Sequence, residues 1–473
     1  MTQVQDVAVI GAGLAGLAAA NLAQQKSMSV AVFEKEDRVG GKALTVEEDG
    51  FVVELGPLGW LNREPRMLQM LQSLNAEAES AADAQGNRFL LHNGQLVPLP
   101  TGPVAFMRTP LMSMGGRIRF ISEFARRARK EGGDESVHDF ATRRFGAQAA
   151  ATLFEAFVSG VFAGDPRKLS VQAAFPLFSK FEREHGSIMA GGFAHMKNLR
   201  KAKKQIKPGS LEAKYRRGNL LTMADGIGGL AKTFAKPLND SVKLSCAPDR
   251  IQRLNADGTP VQGASTGASG EYWSLQSNGA EIGRAKKLLM ACPAPVAANL
   301  LQSDCPKLKA SADTIPGASL AVVTVAFKRE NATGQVDGFG FLAPRKEGFR
   351  PLGVQFAHSI FPSQTPDGYV QLRVMLGGTL DPEAIHLDDS ALMDAALQPL
   401  RPLLGLKGEP ERQWIARWTD VVPQYTLGHL DRVAKFNQAE QQFPGLHFLG
   451  DSYHGVGVPA AVARAHDVVD SWG

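Results

Sequence analysis

The sequence predicts an α/β fold built around a Rossmann-like domain, and three observations support this prediction. The apolar run Val7-Ala8-Val9-Ile10 leads directly into a GxGxxG motif, which an Ala/Leu-rich stretch follows. A second apolar run ends at Glu34, 18 residues after Gly16. A strand that meets a glycine turn returns at residues 447–451, before a predicted helix over 462–472. These features predict a strand, a tight turn, a helix and a second strand ending in an acid, which is the order found in dinucleotide-binding domains.

Each part of the first motif has a physical role in holding a dinucleotide. Gly11 permits the turn, Gly13 lets a pyrophosphate approach the backbone, and Gly16 lets the helix pack closely on the strand. Glu34 is placed to accept hydrogen bonds from ribose hydroxyls. We therefore predict that the cofactor contacts Gly11, Ala12, Gly13, Leu14, Ala15, Gly16, Glu34 and Lys35.

Length and composition bound the remaining architecture. At 473 residues, with 44% hydrophobic and 21% charged residues, the chain is expected to form two or three domains with a sizeable core. Its three cysteines have no CxxC spacing, so we expect no metal site and no disulfide framework. The sequence shows no signal peptide and no apolar run of transmembrane length. These features predict a cytoplasmic protein.

The pattern of predicted strands and helices indicates one dinucleotide-binding domain that is formed by three separate segments of the chain. These pieces are 1–79, 220–305 and 418–473, where short apolar strands alternate with helices. Segments 80–104 and 306–417 read as strands of a mixed-sheet, substrate-binding domain. Segment 105–219 reads as mostly helical and is predicted to be an inserted domain.

Two further glycine pairs and the C-terminal turn indicate the type of dinucleotide. A glycine pair lets the backbone pass close to a large flat cofactor. An NAD dehydrogenase needs one Rossmann half per cofactor and a polar catalytic group such as histidine, and the sequence contains no second GxGxxG motif and no well-placed pair of histidines. The pattern is that of FAD-binding proteins, with non-covalent FAD. The added cofactor residues are Gly41, Lys42, Gly56, Pro57, Leu58, Gly59, Gly450 and Asp451.

Several longer runs extend this pattern along nearly the whole chain. They are Ser159-Gly160-Val161-Phe162-Ala163-Gly164-Asp165-Pro166, Leu169-Ser170-Val171, Ala174-Phe175-Pro176, residues 182–187, residues 338–344, Pro423-Gln424-Tyr425-Thr426-Leu427-Gly428-His429 and Gly455-Val456-Gly457-Val458. With these runs the chain resembles the flavin amine oxidase superfamily. Within it, the chain resembles the oxygen-dependent, FAD-containing protoporphyrinogen oxidases.

The resemblance implies an activity in haem biosynthesis. Such enzymes oxidise a porphyrinogen to a porphyrin by six electrons, in three two-electron steps that each pass electrons to O₂ and form H₂O₂. The flavin N5 takes the hydride, so the cofactor carries the chemistry and no catalytic side chain is expected.

The resemblance also implies positions for the substrate. Arg88 would bind a propionate, the carbonyl of Gly160 would face the pyrrole N–H groups, and Val336, Leu352 and Leu372 would sandwich the macrocycle. Leu58 departs from relatives that carry Asn or Arg near the substrate, and Asp451 stands where many have Asn. The remaining cofactor contacts implied are Ile251, by its backbone on adenine, Trp418, Gly455, Val456, Gly457 and Val458.

Other readings stay open at this point. Coproporphyrinogen is the alternative substrate, an amine oxidase or desaturase is a more distant enzyme, and a non-catalytic binding protein is a different class on the same fold. Basic segments at 117–130 and 197–217 suit either a solvated helix face or an anionic membrane surface. Phe106-Met107 and Leu111-Met112 add apolar side chains near the first segment. We expect a peripheral contact with the inner face of the cell membrane and no nucleic acid partner. A homodimer stays open.

Overall fold

The structure is a computed structural model that describes residues 3–129, 133–204, 206–207, 209–261 and 270–472. Lys130, at the end of the first basic segment, and parts of the second lie outside the described residues. The strands, in chain order, are β1 (Val4–Ile10), β2 (Val30–Phe33), β3 (Thr45–Glu48), β4 (Phe51–Glu54), β5 (Trp60–Leu61), β6 (Glu79–Ser80), β7 (Arg88–His92), β8 (Gln95–Pro98), β9 (Leu220–Thr222), β10 (Val242–Lys243), β11 (Arg250–Leu254), β12 (Tyr272–Ser277), β13 (Ala280–Met290), β14 (Gly317–Lys328), β15 (Gly340–Leu342), β16 (Gly353–Phe356), β17 (Tyr369–Gly377), β18 (Arg412–Pro423) and β19 (Leu446–Phe448).

Helices connect and cover these strands. In chain order they are α1 (Leu14–Gln25), α2 (Pro65–Ser73), α3 (Pro103–Arg108), α4 (Met114–Ile121), α5 (Val137–Phe145), α6 (Ala147–Ala149), α7 (Glu155–Phe162), α8 (Val171–Ala174), α9 (Pro176–His185), α10 (Ile188–Lys203), α11 (Leu211–Lys214), α12 (Gly226–Ala235), α13 (Ala294–Leu300), α14 (Leu308–Ala312), α15 (Ala357–Ile360), α16 (Asp389–Leu397), α17 (Leu400–Leu404), α18 (His429–Gln442) and α19 (Val458–Asp470). None of the helices in the described ranges is long and apolar enough to cross a membrane.

The first sheet confirms the predicted α/β fold. Its strand order is β10-β2-β1-β13-β12-β11, with β19 also paired to β13. Strands β10, β2, β1, β13 and β19 run parallel. In the register, Ile10 lies opposite Phe33 and Met290, and Met290 lies opposite Phe448. The carboxyl ends of β1, β2, β13 and β19 therefore meet at one edge, which is where open α/β sheets bind ligands.

Steric constraints explain the glycines of the first turn. Gly11 has φ +106°, a conformation that side chains disfavour. A Cβ at Gly16 would stand 2.0 Å from the carbonyl oxygen of Gly11, so only glycine lets α1 sit this close to β1. Helix α1 then buries Leu17 in a core shared with Val462 of α19.

The second sheet has the order β18-β14-β17-β16-β15-β7-β8 and is antiparallel except between β15 and β7. One of its faces packs under α16 and α17. The opposite face carries Arg373 and Trp418, which bond to a loop of the first sheet's segment. The predicted boundary between residues 417 and 418 falls inside β18, so the last strand of this sheet spans it.

The segment from α3 to α11 is held together by aromatic packing and by a buried ion-pair network. Arg144 and Glu123 are both fully buried and paired with each other. Arg143 joins Glu135 at 2.8 Å and Glu182 at 2.7 Å. Each of these charged groups has several partners, and these contacts offset the large desolvation cost of burying the charges.

Candidate active site

The glycine turn after β1 forms an open cradle at the sheet edge. Gly13 caps the N-terminus of α1, and a Cβ placed on it would meet no atom within 4 Å. The second glycine loop lies beside it, since a Cβ on Gly41 would stand 3.3 Å from the Cα of Gly13. Leu14, Ala15 and Gly16 follow in the first turn of α1 and are buried. Backbone N–H groups at a helix N-terminus, with free space before them, fit a pyrophosphate.

Glu34 lies directly beside this cradle. Its side chain is buried, with Oε2 accepting the Ala12 N–H at 2.6 Å and Oε1 accepting the Glu36 N–H at 3.0 Å. Lys35 points away, with 77% of its side chain exposed and an ion pair to Glu36 at 3.1 Å. The structure therefore brings Glu34 to the turn, as the sequence predicted, and leaves Lys35 in solvent.

Among the described residues, Ile251 forms no hydrogen bond with Glu34 and lies on a different segment from the backbone that does. It lies on β11 at the far edge of the sheet, three strands from β1, and its side chain is fully buried. The backbone beside Glu34 belongs to the segment after β10, where the Cys246 N–H donates to the Glu34 carbonyl at 2.7 Å. The backbone hydrogen bond beside Glu34 therefore comes from Cys246 and not from the predicted Ile251.

The loop after β19 completes the cradle. Gly450, Gly455 and Gly457 have φ values of +105°, +105° and +106°, so this loop bends at three positions that favour glycine. The loop delivers the chain to Val458, the first residue of α19, while Val456 packs against the helical segment. Asp451 pairs with Lys42 at 2.5 Å, which ties the C-terminal loop to the second glycine loop.

Tyr425 holds this loop together and was not predicted as a site residue. Its ring is buried and stacked on His429, with centroids 4.0 Å apart. Its hydroxyl donates to the Asp451 carbonyl and accepts the Gly455 N–H at 3.1 Å. Burial raises the pKa of this phenol, so it stays protonated and able to donate. The Pro423-Gln424-Tyr425 run could have pointed to Tyr425, but the sequence alone assigned no function to this residue.

The loop at residues 54–59 is fixed by side chains of the second sheet. Arg373, fully buried, donates Nε to the Glu54 carbonyl at 3.0 Å and Nη2 to the Gly56 carbonyl. Trp418 donates Nε1 to the Leu55 carbonyl at 2.7 Å. Burial lowers the pKa of Arg373 to about 10, which still leaves it charged at neutral pH. A Cβ on Gly56 would lie 1.8 Å from the Lys42 carbonyl, so the two predicted glycine loops touch.

The other residues of that loop divide between solvent and core. Pro57 is exposed, and a Cβ on Gly59 would lie 2.3 Å from the Leu221 carbonyl. Leu58 is buried against Ile360 and Phe361. Its side chain is thus part of a small apolar cluster, and the structure does not present it to the cradle.

The predicted substrate residues fall into two groups. Leu352 is buried beside Ala163 and Ala318, with Leu320 and Met375 packed on them, and Met375 shares a sheet face with Arg373. Val336 and Leu372 have no exposed surface and pack in the core on the opposite face. Side chains alternate along a strand, so Leu372 points away from the face that carries its neighbour Arg373. In the structure Val336 and Leu372 are core residues under α16 and α17, whereas Leu320 and Met375 lie on the sheet face that carries Arg373.

Arg88 and Gly160 lie on either side of β15. Arg88 is exposed at the start of β7, with its guanidinium 4.5 Å from the ring centroid of Phe339. Gly160 lies in the last turn of α7, where helical carbonyls lack intrahelical partners. A Cβ on Gly160 would stand 2.5 Å from a terminal methyl carbon of Leu342, so a larger residue here would force that side chain of β15 to shift.

Comparison with known proteins decides the family. The family of flavin containing amine oxidoreductases matches residues 14–470. The chain belongs to this family. As a flavin-containing amine oxidoreductase it is an FAD enzyme, and the cradle, the buried Glu34 and the three glycine loops fit that cofactor.

Curated relatives of this flavin-containing amine oxidoreductase match nearly end to end. Coproporphyrinogen III oxidase of Bacillus subtilis (strain 168) is 29% identical over 98% of this chain and 97% of its own. The chloroplastic protoporphyrinogen oxidase 1 of Arabidopsis thaliana is 30% identical over 98% of this chain and 87% of its own. A crystal structure from Exiguobacterium sp. 255-15 superposes with a TM-score of 0.79 at 23% identity, covering 100% of this chain and 99% of that one, which supports the fold.

Proposed function

We propose that this enzyme oxidises protoporphyrinogen IX to protoporphyrin IX, with O₂ as acceptor and H₂O₂ as the reduced product. Removing six hydrogens in three two-electron steps consumes three O₂ and forms three H₂O₂, which balances atoms and electrons. FAD, when bound, supplies the hydride acceptor for each step. The relatives of similar length that act on porphyrinogens support this proposal.

The observation that carries the proposal is the composition of the second sheet's cofactor-facing side. Arg373 and Trp418 on this side bond to the loop at residues 54–56. The same side carries the apolar residues Leu320 and Met375 beside Leu352. An apolar wall next to a flavin loop suits a flat, largely apolar macrocycle, which burial there would hold and shield from water.

The remaining residues would orient that macrocycle. Arg88 offers a planar guanidinium suited to bidentate pairing with a propionate carboxylate. The Gly160 carbonyl would accept hydrogen bonds from pyrrole N–H groups. This scheme needs no acid–base side chain, because the protein's role is to bind the macrocycle and orient it toward the flavin.

Coproporphyrinogen III is the second candidate substrate. The Bacillus subtilis relative, whose name specifies it, aligns over 97% of its own length. The deciding experiment adds each porphyrinogen in air to the FAD-loaded enzyme and follows porphyrin fluorescence. Faster oxidation of protoporphyrinogen supports our proposal, and preference for coproporphyrinogen replaces the substrate. No rate above autoxidation for either would refute porphyrinogen oxidation.

We also propose that the helical segment contacts the inner face of the cell membrane. Phe124 and Phe193 are 67% and 73% exposed, and Arg126 and Arg127 are exposed beside Phe124. Apolar and basic side chains together favour an anionic lipid surface. Two expectations were wrong. The basic segment 117–130 does not form one continuous α-helix, because α4 ends at Ile121. Leu111 and Met112 are buried in the core, so they add no apolar side chain to the surface.

A vesicle experiment tests this contact. The parent protein should sediment with vesicles containing anionic lipid, and replacing Arg126, Arg127 and Arg129 by Gln should reduce that binding. Absence of binding by the parent protein would refute the proposal.

A further inference from the structure

Gln355 lies in a row of directly opposed residues that crosses the second sheet. Arg88 of β7 and Gln355 of β16 are both paired with Gly340 of β15. Gln355 is paired in turn with Arg373 of β17. Directly opposed residues of neighbouring strands project from the same face of a sheet. The side chains of Arg88, Gln355 and Arg373 therefore lie on the face that bonds to the loop at residues 54–56.

No side chain of this row separates Arg88 from Gln355. The residue between them is Gly340, with φ +125°, and a Cβ there would stand 2.0 Å from the Val354 carbonyl oxygen. Only glycine fits at such a position. Neighbouring strands are about 4.8 Å apart, so the backbones of β7 and β16 lie about 10 Å from each other. An arginine and a glutamine that project from this spacing can reach the same small group.

A buried arginine fixes the direction of the Gln355 carboxamide. Arg373 donates Nη1 to Oε1 of Gln355 at 2.5 Å. A guanidinium only donates hydrogen bonds, so the carboxamide presents its oxygen to Arg373 and its NH₂ group elsewhere. The Gln355 side chain is half-buried, and its NH₂ group has no acceptor among the described residues and stays accessible. The fold thus holds an oriented donor that is ready for a ligand.

On the other side of Gly340, Arg88 carries a charge that is not paired. Among the described residues, its guanidinium forms no ion pair; it donates Nε to the Gln85 carbonyl at 3.4 Å and covers the ring of Phe339 at 4.5 Å. Phe339 directly precedes Gly340, so this cation is held on the flank of β15. A cation and an oriented neutral donor on either side of one glycine suit a carboxylate, whose two oxygens can accept from both.

We propose that Gln355 is a second donor to the carboxylate that Arg88 binds, so that one propionate of the substrate lies over Gly340 between the two side chains. The inference rests on the proposed function for the identity of the substrate. One carboxylate oxygen pairs with the guanidinium and the other accepts the carboxamide N–H. Because both donors are anchored in the sheet, they fix which edge of the macrocycle faces β15.

Titration of the FAD-loaded protein with protoporphyrin IX and with its dimethyl ester tests this site. Gln355→Leu should weaken binding of the acid about tenfold, since a hydrogen bond to a charged group is lost. Gln355→Glu should weaken it further, because a new carboxylate repels that of the ligand. The uncharged ester should bind both variants at least as well as the parent, which also shows that they are folded. Gln413→Leu is the matched control, since Gln413 is exposed on the edge strand β18 of the same sheet.

A double-mutant cycle decides whether the two residues hold the same carboxylate. Gln355→Leu combined with Arg88→Met should weaken binding of the acid by less than the product of the two single losses, because either change already releases that carboxylate. Losses that multiply fully, or equal losses for the acid and the ester, would overturn the proposal. Weaker FAD binding by Gln355→Leu with unchanged binding of the acid would assign the donor to the cofactor and overturn it as well.

Oxidation rates separate this inference from the function on which it rests. Gln355→Leu should raise KM for protoporphyrinogen in proportion to its loss of binding. If the parent oxidises a porphyrinogen and Gln355→Leu changes neither KM nor binding of the acid, the role of Gln355 is refuted and the function stands. If the parent oxidises neither porphyrinogen, the proposed function fails, while the titrations and the cycle still decide whether Gln355 binds a carboxylate.

Discussion

The hydroxyl of Tyr425 should contribute measurably to FAD binding. Phenylalanine at this position keeps the ring that stacks on His429 but leaves the Asp451 carbonyl and the Gly455 N–H without their partner. A buried polar group that loses its partner costs about 1–3 kcal/mol. Because the loop carrying these groups closes the cofactor cradle, we expect Tyr425→Phe to weaken FAD binding by about ten- to a hundredfold, with 1.4 kcal/mol corresponding to tenfold.

The measurement is a titration of the flavin-free protein with FAD, followed by flavin fluorescence. Tyr453→Phe is the matched control, because the Tyr453 hydroxyl is buried without a hydrogen-bond partner among the described residues. Removing an unpartnered hydroxyl should leave FAD binding unchanged or improve folding slightly. Unchanged FAD affinity in Tyr425→Phe, or equal losses in both variants, would refute the positioning role of Tyr425.

Three further predictions follow from single contacts. Gly13→Ala should preserve folding, since its Cβ meets no atom within 4 Å, yet weaken FAD binding by filling the cradle; circular dichroism and FAD titration distinguish the two effects. Arg144→Met should destabilise the fold by about 3–5 kcal/mol in denaturant unfolding, because the carboxylate of the fully buried Glu123 loses the cation that pairs with it. Burial raises the pKa of Glu54 from 4.5 to about 7, so between these pH values the folded chain holds a proton that the unfolded chain has released. The free energy of unfolding should therefore fall by about 3 kcal/mol as the pH rises from 4.5 to 7, and Glu54→Gln should abolish this fall.

The sequence predicted local features well where the backbone geometry accepts only one type of residue, as glycine in a tight turn. The strand, glycine turn and helix at residues 7–16 follow from such demands, and Glu34 reached its predicted place. Residues whose role depends on which face of a strand meets the cofactor were harder to assign. Leu372 and Met375 are both apolar residues of β17, and only the sheet's packing shows that Met375 lies on the face that carries Arg373 while Leu372 lies in the core on the other face.

Contacts between distant segments could not be predicted from local patterns. Tyr425 acts on a loop 26 residues later, and Arg373 on a carbonyl 317 residues earlier. Neither residue has a spacing relative to its partner that a motif would record. A family-specific run such as Pro423-Gln424-Tyr425 marks a constraint, but its meaning depends on which loops the fold brings to it.

These long-range contacts make the cofactor site dependent on all parts of the chain. Arg373 and Trp418 reach the glycine loop from the second sheet, and Gln424, beside Tyr425, donates to the Phe162 carbonyl of the helical segment at 2.7 Å. We therefore expect calorimetry of the flavin-free protein to show one unfolding transition. FAD at about 100 times its dissociation constant should stabilise that whole transition by about 2.7 kcal/mol. Two transitions, of which FAD shifts only one, would show that the second sheet and helical segment fold independently of the cofactor, contrary to this coupling.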